Sequence, residues 1–382
     1  MDAAPRDDLT ALDGERLSQA IRSRAVSCRE VMQAYLARIH RVNAHCNAIV
    51  SLAPDEALLR QADERDAELA RGHWRGWMHG MPQAIKDAAQ AAGFPTTFGS
   101  PLHAHAVARE DGLMTARMKA AGCIVVGKTN MPEFGLGSHT FNTLFGATPN
   151  AWDPAVSAGG SSGGAAVALA QRLLPVADGS DFMGSLRNPA AWNHVFGLRP
   201  SQGRVPLAPA TDVWITQLST EGPMARTVAD LARLLAVQAG PDARAPLSLQ
   251  APLEDLSEPA VERALCGLRV AWLADLGGHL AMEPCLLALC EAALARLEAG
   301  GAHVEPVALG FDPHALWNAW LVWRRALVAP RVAPLLTQPG ARERIKPEAL
   351  WEHDQAQGTS VMALMRASQV RSAFWQHLVS LY

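Results

Sequence analysis

Three serines carry the first chemical signal in this chain. Ser161 and Ser162 sit between Gly159-Gly160 and Gly163-Gly164, and Ser185 follows Gly184. A serine hydroxyl attacks a carbonyl only with a base beside it, and the oxyanion that forms needs N–H donors. Glycine permits positive φ and close backbone approach, so such loops can turn N–H groups towards a ligand. Residues 165–170 read as a helix start, which puts the paired serines near a helix N-terminus, where negative charge is favoured. Val176-Ala177 reads as a short buried strand ending in the polar turn residues Asp178-Gly179-Ser180-Asp181. The two serine loops thus flank one strand and can meet at one sheet edge, where α/β proteins place their sites.

The base is open between two lysines. Of 34 Lys and Arg residues only four are lysine, at 86, 119, 128 and 346. Where a surface cation suffices this chain uses arginine, so a lysine among apolar neighbours is informative, because only lysine deprotonates readily. Lys86 ends the strand-like Gln83-Ala84-Ile85-Lys86, and Lys128 follows the apolar run Cys123 to Val126. The unperturbed ammonium titrates at about 10.4 and is no base at neutral pH, but desolvation lowers that value. A pair of Lys86 with Asp87 is disfavoured, since neighbours on a strand point to opposite faces. Gly159 to Gly163 also matches G-x-S-x-G, a nucleophile elbow that needs a strand directly before it. Trp152 to Ser157 contains Pro and Asp and makes a poor strand, which argues against a Ser-His-Asp triad. None of the 13 histidines has a partner fixed by spacing.

Local signals outline the elements that must position these groups. Ser27 with Glu30 fits a capping box ahead of a helix carrying Val31, Tyr35, Leu36 and Ile39. Residues 54–71 read as a second helix. Asp111 is expected to cap a helix through Ala121, stopped by Gly122. Strand, helix and strand at this spacing form a βαβ unit and imply a parallel or mixed sheet. Later come a helix at 227–236, an aperiodic linker or excursion at 241–258, strands at 268–273 and 304–307, and a helix opened by Glu283-Pro284. The remainder reads as helical and Trp-rich.

The totals bound the class. The chain has 382 residues with 49% hydrophobic and 19% charged, enough apolar material for a large core. A net charge of −3 makes no electrostatic case for nucleic acid or an anionic membrane surface. The six cysteines lack CxxC spacing, so neither zinc nor a disulfide framework is indicated, and reduced thiols are expected. No cofactor and no metal site is expected. A polar, acidic N-terminus without a signal peptide and without an apolar span leads to a cytoplasmic expectation.

Several motifs together resemble the amidase signature family. They are His79-Gly80-Met81 with Ala84-Ile85-Lys86-Asp87, Pro95-Thr96-Thr97, Val126-Gly127-Lys128-Thr129-Asn130-Met131, Gly159 to Gly164, Gly184-Ser185-Leu186-Arg187, Gly197-Leu198-Arg199-Pro200 and Gly222-Pro223-Met224-Ala225-Arg226. The match is dense from about Gly80 to Arg226 and recognisable through Val307. The resemblance implies an α/β amidase-signature fold, a mixed β-sheet core covered by helices on both faces. It implies a Ser-cisSer-Lys triad, with Ser185 the nucleophile, Ser161 the bridging serine after a cis peptide, and Lys86 the base. It implies an oxyanion hole from the backbone of Phe182, Met183 and Gly184, with Ser162, Asp181 and Arg187 in support and Lys128 structural. Family members usually carry Gly-Gly before the nucleophile. Here Met183 replaces one glycine, which bears on oxyanion geometry because Met disfavours positive φ.

The expected activity is hydrolysis of a small carboxamide with an apolar acyl group, through an acyl-enzyme, to carboxylate plus ammonia or amine. The alternatives are an amidotransferase-type subunit of a transamidating complex acting on aminoacyl-tRNA, and a weakly active or non-catalytic amide-binding relative. The expected organisation is an N-terminal helical segment at 1–75, a signature core at 76–240 and a C-terminal α/β portion at 241–382, forming one continuous large domain. Residues 361–382 read as an apolar-striped helix without a stop signal. Family members continue with a strand, a Pro-containing loop and a closing helix, so a truncated chain with an unpaired sheet edge is expected. Exposed apolar patches would favour self-association, as in a homodimer.

Overall fold

The computed structural model describes residues 6–253 and 265–382. They fall into two compact units. The first takes in the chain to Leu253 together with Gly340–Lys346, and the second takes in Glu254–Pro339 and Pro347–Tyr382.

The first unit is α/β with mixed sheets. Strands β1 (Ile49–Val50), β2 (Pro82–Lys86) and β3 (Ile124–Thr129) form a sheet of order β1-β3-β2. β2 runs parallel to β3, and β1 is antiparallel to it. The expected βαβ unit is therefore present, its helix being α4 (Leu113–Ala120). The ribbon β4 (Phe141–Asn142) and β5 (Gly146–Ala147) follows. A second sheet, of order β6-β8-β7, holds β6 (Val176–Asp181), β7 (Phe196–Gly197) and β8 (Thr220–Ala225), all antiparallel. Helices α1 (Gly14–Arg22), α2 (Cys28–Cys46), α3 (Asp55–Ala70), α5 (Gly163–Ala170), α6 (Arg187–Trp192) and α7 (Val228–Gln238) complete this unit. The capping box of Ser27 and Glu30 opens α2 as expected.

Two local expectations are corrected. Asp111 does not cap α4; the cap position is Gly112, and the Asp111 carboxylate instead takes the Ala92 N–H at 2.8 Å and the Lys119 ammonium at 2.6 Å. Residues 178–181 are not a turn but the last four residues of β6, because Asp178 and Asp181 find buried partners that offset their desolvation. β8 is hard to read from sequence because Pro223 argues against a central strand. Pro223 nevertheless pairs with Asp178, and its carbonyl accepts from Leu198 N. Of the expected excursion at 241–258, residues 254–258 lie outside the described part. Its first half is tied down, with Leu249 N donating to Gly203 O.

Helix α5 is buried along seven of its eight residues and packs against both sheets. Its small residues allow this. A Cβ at Gly164 would lie 2.5 Å from Asn130 O and 2.7 Å from Ala48 O, both backbone atoms that cannot swing away. Gly164→Ala should therefore destabilise the protein by about 1–3 kcal/mol, read as a lower urea midpoint at unchanged slope.

The second unit pairs β9 (Arg269–Trp272) with β10 (His303–Pro306) in parallel and carries helices Pro284–Ala299, Pro313–Val332, Pro347–Ala356 and Val361–Leu381. Among the described residues no helix is long and apolar enough to cross a membrane.

Candidate active site

The register of β2 on β3 sets the two lysines apart. Lys86 lies beside Thr129 and Ile85 beside Lys128, so the two lysines project from opposite faces of one sheet. Lys128 is buried on the far face, where its ammonium donates to Ala89 O and to Thr96 Oγ1. Lys86 is buried on the near face. Its Nζ lies 2.8 Å from Ser161 Oγ, 2.8 Å from Ser162 Oγ and 3.0 Å from Ser180 Oγ. Asp87 does not pair with Lys86; its carboxylate takes the hydroxyl and N–H of Thr97 and the N–H of Gly99.

The two sheets meet at this point through a side chain. The Asp178 carboxylate of β6 accepts from Lys86 N at 3.0 Å and from Gln83 Nε2 at 3.2 Å. One carboxylate thus takes the place of a strand-to-strand ladder and sets β6 beside the lysine. Ser180, two residues on and facing the same way, brings its hydroxyl to the Lys86 amine.

Burial lowers the Lys86 amine to about 7 from the ordinary 10.5, against the opposing pull of Asp178, Asp181 and Glu221. Burial lowers Lys128 less, to about 8, with Asp87 and Asp178 opposing. Glu221, beside Ser180 in the β6–β8 register, is pushed up to about 8 by burial and by the Asp178 charge.

The paired-serine loop and the Ser185 turn are joined directly: Ser162 N donates to Ser185 O at 3.2 Å. The peptide bond between Gly160 and Ser161 is cis. Ser162 Oγ faces Ser180 O at 3.3 Å as well as the lysine. The turn is shaped by Asp181, a fully buried carboxylate gripped by Arg187 through two bonds of 3.0 Å and approached by Arg199 at 3.4 Å. Burial alone would raise this carboxyl. The Arg187 guanidinium and the N–H groups of Gly184 and Leu186 hold it below the usual range instead.

This arrangement changes the oxyanion expectation at one residue. The Gly184 N–H donates to Asp181 Oδ1 at 2.8 Å, so it is not aimed at a substrate. Gly184 also bears the positive φ of the turn, 107°, while Met183 is not in the left-handed region, which is how a methionine is accommodated there. Met183 is 39% exposed, so its side chain is available to a ligand.

Sequence reasoning misses Ser180, Asp178 and Glu221. The alternation Val176, Asp178, Ser180 is a usable strand signal, obscured by the turn-forming residues between. Among the described residues, no cluster of three or more His, Cys, Asp or Glu side chains could hold a metal ion.

A model of the Amidase family matches residues 30–334. The chain belongs to the amidase (amidase signature) family. It is 40% identical over 318 residues to an acylamidase from Rhodococcus erythropolis, covering 82% of this chain and 65% of that protein. It is 37% identical over 306 residues to an indoleacetamide hydrolase from Bradyrhizobium diazoefficiens, covering 79% of this chain and 57% of that one. It is also 41% identical over 276 residues to a glutamyl-tRNA(Gln) amidotransferase component from Thermosynechococcus vestitus, covering 72% of this chain and 56% of that one. The chain thus spans less than two thirds of the length of these curated relatives. Among solved structures, a bacterial aryl acylamidase of the amidase signature family superimposes with a TM-score of 0.89 at 28% identity, over 97% of this chain and 77% of that one. The amidase-signature α/β fold expected from the motifs is thus observed.

Proposed function

We propose that this amidase hydrolyses a small carboxamide to a carboxylate and ammonia or an amine, with Ser185 as nucleophile, Ser161 as bridging serine and Lys86 as base. The observation that carries the reading is the buried Lys86 amine at 2.8 Å from Ser161 Oγ, with burial lowering it to about 7. A neutral amine has one lone pair and two N–H groups. Ser162 Oγ lies within reach of Ser180 O, so its proton has a carbonyl to go to and its oxygen can accept from the amine. The lone pair is then left for the Ser161 proton.

In the acylation step Ser185 Oγ attacks the amide carbon while its proton passes to Ser161 Oγ, and the Ser161 proton passes to Lys86 Nζ. The oxyanion is held by backbone N–H groups of Phe182, Met183 and Ser185, each such donor being worth roughly 3–4 kcal/mol in the transition state. Collapse breaks the C–N bond, and the relay run backwards delivers the proton to the leaving nitrogen. Water then enters, loses a proton to the same relay, and releases the acid from Ser185. Asp181 and Arg187 keep the turn in shape, and Met183 offers an apolar surface to the acyl group. The likeness to an aryl acylamidase and to an indoleacetamide hydrolase supports an apolar or aromatic acyl or amine portion.

Two outcomes test this reading. Incubation with a panel of aliphatic, aryl and indolyl amides should release ammonia or amine, with an acylated Ser185 peptide detectable by mass after rapid quench. The second reading, a component of a transamidating complex, is favoured by the likeness to the glutamyl-tRNA(Gln) amidotransferase protein. It calls for turnover only with partner chains and charged tRNA, and no turnover of free amides would favour it.

The pH dependence has a definite sign. Protonated Lys86 cannot accept a proton, so kcat/KM should be low in acid and rise through about pH 7, where the buried amine loses its proton. A profile flat down to about pH 5 would contradict a lysine base.

A further inference from the structure

Three of the four lysines have a visible task. Lys86 faces the serines, Lys128 braces the far face of the sheet, and Lys119 pairs with Asp111. Lys346 remains. It closes the segment Gly340–Lys346, which belongs to the first unit although the chain on either side belongs to the second. Ala341 and Ile345 are buried, so the segment is seated and not merely passing. The Lys346 N–H donates to Glu133 Oε2 at 3.0 Å, and its ammonium donates to Leu136 O at 2.8 Å. The same ammonium lies 5.6 Å from the centre of the Phe141 ring, within cation–π range. Glu133 is itself buried and takes the Ser100 hydroxyl at 2.6 Å.

These anchors bracket the turn at 135–139, and that turn is the wall behind Ser161. A Cβ at Gly135 would stand 3.5 Å from Ser161 Oγ. A Cβ at Gly160 would stand 3.1 Å from His139 N and 3.2 Å from Gly137 O. The turn and the Gly160–Ser161 peptide are thus in near backbone contact, so a shift of one is passed to the other as it is through any close-packed interior.

We propose that Lys346 is a positioning residue for the amidase reaction, holding the 135–139 turn against the Gly160–Ser161 peptide so that the Ser161 hydroxyl stays aligned between Lys86 and Ser185. This rests on the reading of Ser161 as the bridging serine. The ammonium is suited to the task because one cation satisfies a carbonyl and a ring face at once, while the Lys346 backbone contact seats the segment independently of the side chain.

The test compares Lys346→Met, Lys346→Arg and Phe141→Leu in the full chain, reading kcat, KM and Tm, with Ser185→Ala as control. Lys346→Met should lower kcat by about ten- to a hundredfold, with KM and Tm little changed. Lys346→Arg, which keeps a donor and a cation over the ring, should restore most of the turnover. Phe141→Leu, which leaves the backbone contacts intact, should lose several-fold in kcat. Wild-type kcat in Lys346→Met overturns the proposal, as does a loss of kcat that tracks Tm and is not rescued by arginine. Should Lys346→Met fail to fold, wild-type kcat in Phe141→Leu overturns it. Turnover retained by Ser185→Ala removes the relay itself, whereas a dead Ser185→Ala beside a fully active Lys346→Met removes only the role of Lys346.

Discussion

Ser185→Ala should abolish amide hydrolysis, lowering kcat by about four to six orders of magnitude, while leaving the fold intact. The two halves of this expectation come from different features. Without the hydroxyl no acyl-enzyme can form, and the oxyanion donors alone leave only residual catalysis. The fold should survive because the hydrogen bond of residue 185 is made by its backbone and alanine keeps the Cβ. Its carbonyl accepts from Ser162 N, and among the described residues its hydroxyl makes no hydrogen bond. Unfolding free energy should therefore change by less than about 1 kcal/mol. Steady-state ammonia release and a thermal melt on the same preparation check both halves. More than a trace of turnover in a well-folded variant would remove Ser185 from the nucleophile's role.

Lys86→Met and Lys128→Met should separate cleanly. The first should lose about three to five orders of magnitude in kcat and still fold, because methionine fills nearly the same buried volume without an amine to desolvate and the Ser161, Ser162 and Ser180 hydroxyls that lose the amine can rotate to other partners. Combined with Ser185→Ala it should cost almost nothing further, since residues of one relay act as a unit. Lys128→Met should keep kcat within about tenfold but lose stability, because it leaves Ala89 O and Thr96 Oγ1 without their buried donor, a loss of about 1–3 kcal/mol. Steady-state kinetics and urea melts on both variants check this. The opposite pattern, an inert Lys128 variant beside an active Lys86 variant, would reverse the choice of base.

That choice shows how far the chain can be read directly. Lys86 and Lys128 both follow apolar runs, desolvation applies to both, and both are buried. What separates them is strand register, a property of pairing that single-sequence periodicity does not contain. The motif resemblance favours Lys86 by analogy, and the register puts Lys86 on the face that carries the serines. Asp178 has the local character of a turn former. Its place in β6 is stabilised by the Lys86 N–H and by Gln83, residues distant in the chain. Pro223 sits in β8 for the converse reason, since a local penalty is outweighed by sheet context.

Local signals are legible without any structure: the capping box at Ser27, the small-residue helix after the paired serines, the βαβ unit, and a set of ordered motifs specific enough to name the family. These depend on neighbours within a few residues, so composition and spacing carry them. Three features are visible only once the chain is folded. They are which lysine faces the serines, which N–H group of the 182–185 turn Asp181 takes, and how Lys346 reaches the wall behind Ser161. Each depends on contacts between segments or on a local capture that no pattern encodes. A one-residue change in register, or a carboxylate such as Asp181 taking the Gly184 N–H, alters the chemistry without altering any local pattern.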